Sequence, residues 1–210
     1  MQSPSQSVQL LEGRTKWRDL LRAWNVDPVV VDRSFNDVCR AYADPGRFYH
    51  TLEHAVAVVT TVESLGLQTR NSNAVSLAAW LHDVVYDSRA SDNEERSARY
   101  AERLCNEFSI PEGQLATALI LKTKSHDAGD DPDARVLLDA DLAILGADEE
   151  TYHNYAENIR REYAWVPESE YRTGRRRVLE AFLARPSIYH WLRHLEEPAR
   201  RNLAAESATI

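Results

Sequence analysis

The segment Ala74-Val-Ser-Leu-Ala-Ala-Trp-Leu-His-Asp-Val-Val-Tyr86 constrains this chain more than any other. Its apolar residues fall at helical spacing around almost the whole circumference, so a helix formed from it has no face suited to water. Such a helix must be enclosed by others, which points to a helical bundle. The pair His82-Asp83 lies within this dry segment. An unpaired charge there is costly, so both groups need a cation or a hydrogen-bond network. Two arrangements satisfy them: a bound metal, or His82 capping a neighbouring helix while Asp83 pairs with an arginine.

The rest of the chain supplies the enclosing helices. Only 7 glycines and 8 prolines interrupt 210 residues, and apolar residues recur at helical rather than alternating spacing. Leu10, Leu11, Trp17, Leu20, Leu21 and Trp24 make one stripe. A second helix opens at Pro28, carries Val31, Phe35, Val38, Cys39 and Tyr42, and stops at Asp44-Pro45-Gly46. A third runs from about Thr51 to Leu65 and ends at Gly66. Side chains among Asn71 to Asn73 cap a fourth that continues through Tyr86, and Ser91 or Asp92 caps a fifth through Phe108. Pro111 suits the first turn of a sixth, which reaches Lys124. Ala134 to Leu145, Glu149 to Tyr163, Glu170 to Leu183 and a short element near Trp191 complete the reading. The expectation is an all-α single domain over residues 1–210, a bundle of about eight to ten helices.

Charge and composition exclude several classes. A net charge of −8 repels phosphate backbones and argues against a nucleic-acid polymer as partner. No apolar run approaches the roughly 20 residues that span a bilayer, so no membrane partner is expected. Met1 to Ser7 are polar and lack the basic start and apolar stretch of a secretory leader, which gives a cytoplasmic expectation. Cys39 and Cys105 have no metal-ribbon spacing and read as reduced core residues.

Two further places put ionisable groups against apolar helix. Asp139 and Asp141 interrupt Val136-Leu-Leu-Asp-Ala-Asp-Leu-Ala-Ile-Leu145. Two residues apart on a helix, they point to nearly opposite faces, so only one joins a given site and the other pairs or caps elsewhere. His50 and His54, in Arg47-Phe-Tyr-His-Thr-Leu-Glu-His54, share a face if both are helical. Imidazoles and carboxylates on three separate helices make a donor set suited to a divalent ion.

The order His54, His82-Asp83, Asp141 resembles the H…HD…D signature of the HD superfamily of metal-dependent phosphohydrolases. Further blocks look like those of a bacterial subfamily of predicted HD phosphohydrolases: Arg47 to His54, Ala79-Trp-Leu-His-Asp-Val-Val-Tyr-Asp87, Asp92-Asn-Glu-Glu-Arg-Ser-Ala98, Leu138 to Gly146 and Ile159-Arg-Arg-Glu-Tyr163. The resemblance covers about residues 42–183 and implies an HD-type helical domain whose C-terminal helices pack on the same core. It also implies one divalent metal ion, Mn, Co, Ni, Zn, Fe or Mg, held by His54, His82, Asp83 and Asp141, with Asp139 as the reserve for the last ligand.

The same resemblance implies hydrolysis of a nucleotide or another small phosphate ester by a metal-activated water. Asp83 is then both a ligand and a neighbour of that water, and Glu94, His50 and His126 are candidates to hold or exchange a proton. Arg47, Lys122 and Lys124 are candidates to meet phosphate oxygens. Each has a structural alternative: Glu94 stabilises a helix N-terminus, His126 is a solvated loop residue, and the three cations are exposed helix-end charges. Arg161 and Glu162 read as a structural ion pair. Trp165, Tyr171, Phe182, Tyr189 and Trp191 pack the core or form a dimer face, so the chain is a monomer or a homodimer. Two rivals stand beside the hydrolase: a di-iron oxygenase on the same fold, and a non-catalytic module that binds metal or nucleotide.

Overall fold

In the computed structural model, which describes residues 4–210, the described residues form ten α-helices and three short 3-10 turns, with no strand. The expectation about the polar start at Met1–Ser7 falls on residues whose side chains lie outside that description. Among the described residues no helix is long and apolar enough to cross a membrane.

The helices are α1 (Pro4–Arg22), α2 (Pro28–Tyr42), α3 (Leu52–Ser64), α4 (Ser72–Leu81), α5 (Asn93–Glu107), α6 (Gly113–Thr123), α7 (Pro132–Asp141), α8 (Glu149–Glu162), α9 (Glu168–Leu183) and α10 (Glu196–Thr209). The dry segment is the hub: α4 packs against α1, α3, α5, α6 and α7. Its residues Ala74, Val75, Leu77, Ala78, Ala79, Trp80 and Leu81 are all fully buried. Trp80 meets Trp17 and Phe35 edge to face, with ring centroids 5.5 and 6.2 Å away. The Trp17 indole donates to Ser34 Oγ at 2.9 Å, so the deepest nitrogen of α1 is satisfied. Local caps fix where helices start: Asn71 Oδ1 accepts from the Ala74 amide, and Asp27 and Asp148 do the same for α2 and α8. Asp92 stands at the α5 N-cap position but makes no side-chain cap bond. Pro111 precedes α6, which opens at Gly113.

Three boundaries differ from the sequence reading. The fourth helix stops at Leu81 rather than Tyr86, because the backbone beyond it finds partners elsewhere. The carbonyls of Asp83 and Val84 accept from Arg47, and the amide and carbonyl of Val85 bond to Ser97 Oγ. Residues 134–145 are not one helix: α7 ends at Asp141 and Leu142–Gly146 tightens into a 3-10 turn. The short element near Trp191 is a 3-10 turn, Arg193–Leu195, that leads into α10, a 14-residue helix the sequence reading did not anticipate.

The C-terminal helices do not simply extend the core around α4. Leu142, Leu145, Tyr152, Leu179, Ile188, Tyr189, Leu192, Ala199 and Leu203 form a second apolar cluster. Leu65 packs against both clusters. Asp139 secures the junction: its buried carboxylate accepts from the backbone amides of His190, Trp191 and Leu192 at 2.6–3.0 Å. Gly146 allows the close approach of the chain before α10, since a Cβ there would lie 2.6 Å from the Cβ of Leu195 and 2.8 Å from its carbonyl oxygen.

Candidate metal centre

Helix ends bring the ionisable groups together. His54 lies in the first turn of α3, His82 caps the end of α4, Asp83 follows it, and Asp141 is the last residue of α7. His54 Nε2 stands 3.2 Å from His82 Nε2 and 3.2 Å from Asp141 Oδ1, and His82 Nε2 is 3.4 Å from the same oxygen. Asp83 Oδ2 lies 3.2 Å from His82 Nε2 and 3.7 Å from His54 Nε2. Asp139 faces away from this group, as its two-residue offset from Asp141 requires.

The donors fit a divalent cation. Nitrogen and oxygen ligands about 2.0–2.2 Å from a metal lie roughly 3–3.6 Å from their neighbours around it, and the separations above fall at or close to that range. The His54, His82 and Asp141 atoms converge tightly enough that this buried group could hold a metal ion. His82 Nδ1 bonds to the Ala79 carbonyl at 2.9 Å, which places a proton on Nδ1 and turns the Nε2 lone pair toward the cluster.

Electrostatics make the same demand. Burial opposes the imidazolium at both histidines. At His54 it prevails and lowers the pKa, whereas at His82 the carboxylates of Asp83 and Asp141 outweigh it and the pKa rises well above the ordinary value. Burial alone would raise both carboxyl groups, yet His82 above all holds Asp83 and Asp141 well below the usual carboxylate range. Two anions in a dry site require a positive charge, which the His82 proton supplies and a divalent ion could supply in its place.

His50 and His126 flank the cluster. His50 precedes α3, so it does not share a helical face with His54, but its ring stacks on Tyr86 at 4.1 Å and its Nε2 lies 3.9 Å from Asp83 Oδ2. Its Nδ1 is 2.6 Å from Glu162 Oε2, while Glu162 Oε1 accepts from the amides of Phe48, Tyr49 and His50. Burial would raise Glu162, but the His50 hydrogen bond and charge lower its pKa from 4.5 to about 2. The sequence reading paired this residue with Arg161 and gave it no place at the site. Arg161 makes no ion pair with it; the guanidinium lies 3.9 Å over the Phe48 ring and bonds to Asn158. The available signal was the i, i+3 spacing of Ile159 and Glu162, both buried on one face of α8. His126 adopts a left-handed backbone, φ 49°, and its Nε2 lies 3.0 Å from Asp141 Oδ2.

The remaining candidates divide. Arg47 is buried rather than an exposed helix-end charge, and its guanidinium donates to the carbonyls of His50, Asp83 and Val84 at 2.6–3.1 Å. It holds the chain that carries Asp83. A cavity of about 780 Å³ opens over the cluster and is lined by His50, His82, Asp83, His126 and Asp141, and also by Glu94 and Lys124. Lys122, on the last turn of α6, is absent from that lining. Lys124 Nζ bonds to the Ser91 carbonyl and to Glu95 Oε1, and lies 3.9 Å from Glu94.

Compared with known proteins, this chain matches no family model and no curated protein.

Proposed function

We propose that this chain is a metal-dependent phosphohydrolase of the HD type, acting on a nucleotide or another small phosphate ester. The observation that carries the reading is the convergence of His54, His82 and Asp141, with Asp83 beside them, at a cavity of about 780 Å³ that His82, Asp83 and Asp141 line. The sequence blocks that resemble HD phosphohydrolases support it. His54, His82, Asp83 and Asp141 would hold one divalent ion. Such an ion, when bound, acts as a Lewis acid and makes hydroxide available from water near neutral pH.

The chain's own groups do the rest. Glu162 fixes the His50 ring through Nδ1, so that Nε2 is presented toward Asp83 and can take or hold a proton there. His126 orients the second oxygen of Asp141 by donating from Nε2. Lys124 and Glu94 sit at the cavity wall, where an ammonium can meet a phosphate oxygen and a carboxylate can hold a proton.

The test is a screen of metal-loaded protein against nucleotides and sugar phosphates for phosphate release, run beside elemental analysis and a His82→Ala blank. The expected result is one ion per chain and turnover that His82→Ala and Asp83→Ala abolish. Two irons per chain with oxygen consumption, or tight nucleotide binding without turnover, would overturn it.

A further inference from the structure

One wall of the cavity is the inner face of α9, where Arg160 and Arg185 lie over the Tyr171 and Phe182 rings but the stretch between them, at Gly174 and Val178, stands open. Tyr171, Gly174, Val178, Ala181 and Phe182 line the cavity at helical spacing, while α9 buries only Arg175 and Leu179. Val178 is 47% exposed, and a Cβ at Gly174 would meet nothing within 4 Å. The apolar stripe runs up to the candidate centre, where the Phe182 ring lies 5.9 Å from that of His126. Across the space stand further apolar and aromatic groups, among them Ile144, Ile159 and Tyr163.

The charges of the cavity set a second limit. Its cations are Lys124, Arg175 and Arg185, against the carboxylates Asp83, Glu94, Asp141 and Glu170. Lys124 is paired with Glu95, and Arg175 is held by both oxygens of Glu206 at 2.7 and 2.9 Å. Arg185 donates to the carbonyls of Ser125 and His126. With Lys124 and Arg175 already paired to carboxylates, Arg185 is the one cation of this lining without an acidic partner, against four carboxylates, so a chain of phosphates would find little positive charge beyond that of a single divalent ion.

We infer that the ligand is a monoester: one phosphate at the metal centre, joined to an uncharged aromatic or apolar body that lies along α9. This rests on the phosphohydrolase reading and narrows it. In the reaction a water oxygen forms the new bond to phosphorus, the ester P–O bond breaks, and the leaving oxygen takes up a proton to give the free alcohol or phenol.

Three probes separate the possibilities: 1-naphthyl phosphate, with an apolar body; glycerol 2-phosphate, with a polar one; and ATP, a polyanion. The expected result is a kcat/KM for naphthyl phosphate at least about tenfold above the other two, consistent with the stabilisation available from burying an apolar ring. Val178→Asp should lower the naphthyl-to-glycerol ratio about tenfold. Gly174→Leu, which fills open space on an exposed helix position, should lower it too, and circular dichroism checks that both variants fold. Preference for glycerol 2-phosphate or ATP, or equal effects of Val178→Asp on both monoesters, would overturn the inference. If no ester is turned over, the hydrolase reading fails by itself, and a fluorescence titration with 1-naphthylmethylphosphonate decides this one. Binding weakened by Val178→Asp upholds the apolar subsite; no binding removes it.

Discussion

The cluster around α4 and the cluster around Leu142–Gly146 are held together by different means. The first gathers 34 buried apolar side chains, with Trp17, Phe35, Leu77 and Trp80 fully enclosed, and several of the polar bonds between its helices, such as Arg18 with Asp32 and Lys16 with Glu63, lie at its exposed rim. The second has nine, and buried polar groups make up the difference. Asp139 takes three amides of the 190–192 loop, Tyr189 donates to the Leu142 carbonyl, Arg175 pairs with Glu206, and Asn202 donates to the carbonyls of Leu145 and Ala147. Apolar burial is non-directional, whereas hydrogen bonds fix position and are costly when one partner is lost. The ligands His54, His82 and Asp141 come from helices of the first cluster, and much of the cavity wall comes from the second. One region supplies a rigid floor, and the other a precisely placed but thinner roof.

Substitutions can break this contrast at graded strengths. Trp80→Ala should cost about 3–5 kcal/mol, the usual range for removing a large buried aromatic, and urea unfolding should show the loss across the whole chain. Asp139→Ala should cost about 2–4 kcal/mol, because three amides lose a charged acceptor. Hydrogen exchange should place that loss in α9, α10 and the loop between them; equal deprotection of α4 would erase the distinction between the clusters. Removing a divalent metal held at 100 times its dissociation constant should remove about 2.7 kcal/mol. For a chain this size that is a fall of roughly 5–10 °C in Tm, and an unchanged Tm would refute a buried metal centre.

Glu162 sits on the seam and offers a weaker, pH-dependent test. Its pKa in the folded chain is depressed to about 2 from 4.5. Its contribution is therefore complete above about pH 4.5 and is lost as pH falls toward 2. The expected loss is about 1–3 kcal/mol, read as the difference between wild type and Glu162→Gln across that window; parallel curves would mean that the carboxylate bonds are not maintained. The smallest effect belongs to the surface. Arg18→Ala breaks an exposed pair with Asp32 and should leave Tm without a resolvable change, whichever cluster is probed.

The hub of the fold was legible because α4 is apolar on every side, a property that depends on its own residues alone. Its end was not, because the acceptor pattern that stops it is completed by Arg47 and Ser97, far away in the chain. Helix α10 was illegible for a related reason: Ala199 and Leu203 are its only buried residues, too thin a stripe to stand out among charges. Within the site, the division of labour between Asp139 and Asp141 followed from helical geometry. The role of Arg47 did not follow, since its acceptors exist only where the helix breaks. Glu162 escaped because its neighbour Arg161 offered an ion pair on paper, whereas in space its partners are three amides and an imidazole from the loop before α3.

At position 126 backbone and side chain act as separate filters on substitution. A φ of 49° is open to glycine and tolerated by asparagine or histidine, but strained for β-branched residues. A saturation library at this codon would therefore be sorted twice. An abundance screen would deplete valine and isoleucine whatever their chemistry, while glycine and asparagine would pass. A screen for metal retention would then distinguish those survivors from the parent, because they keep the turn and lose the imidazole that bonds to Asp141.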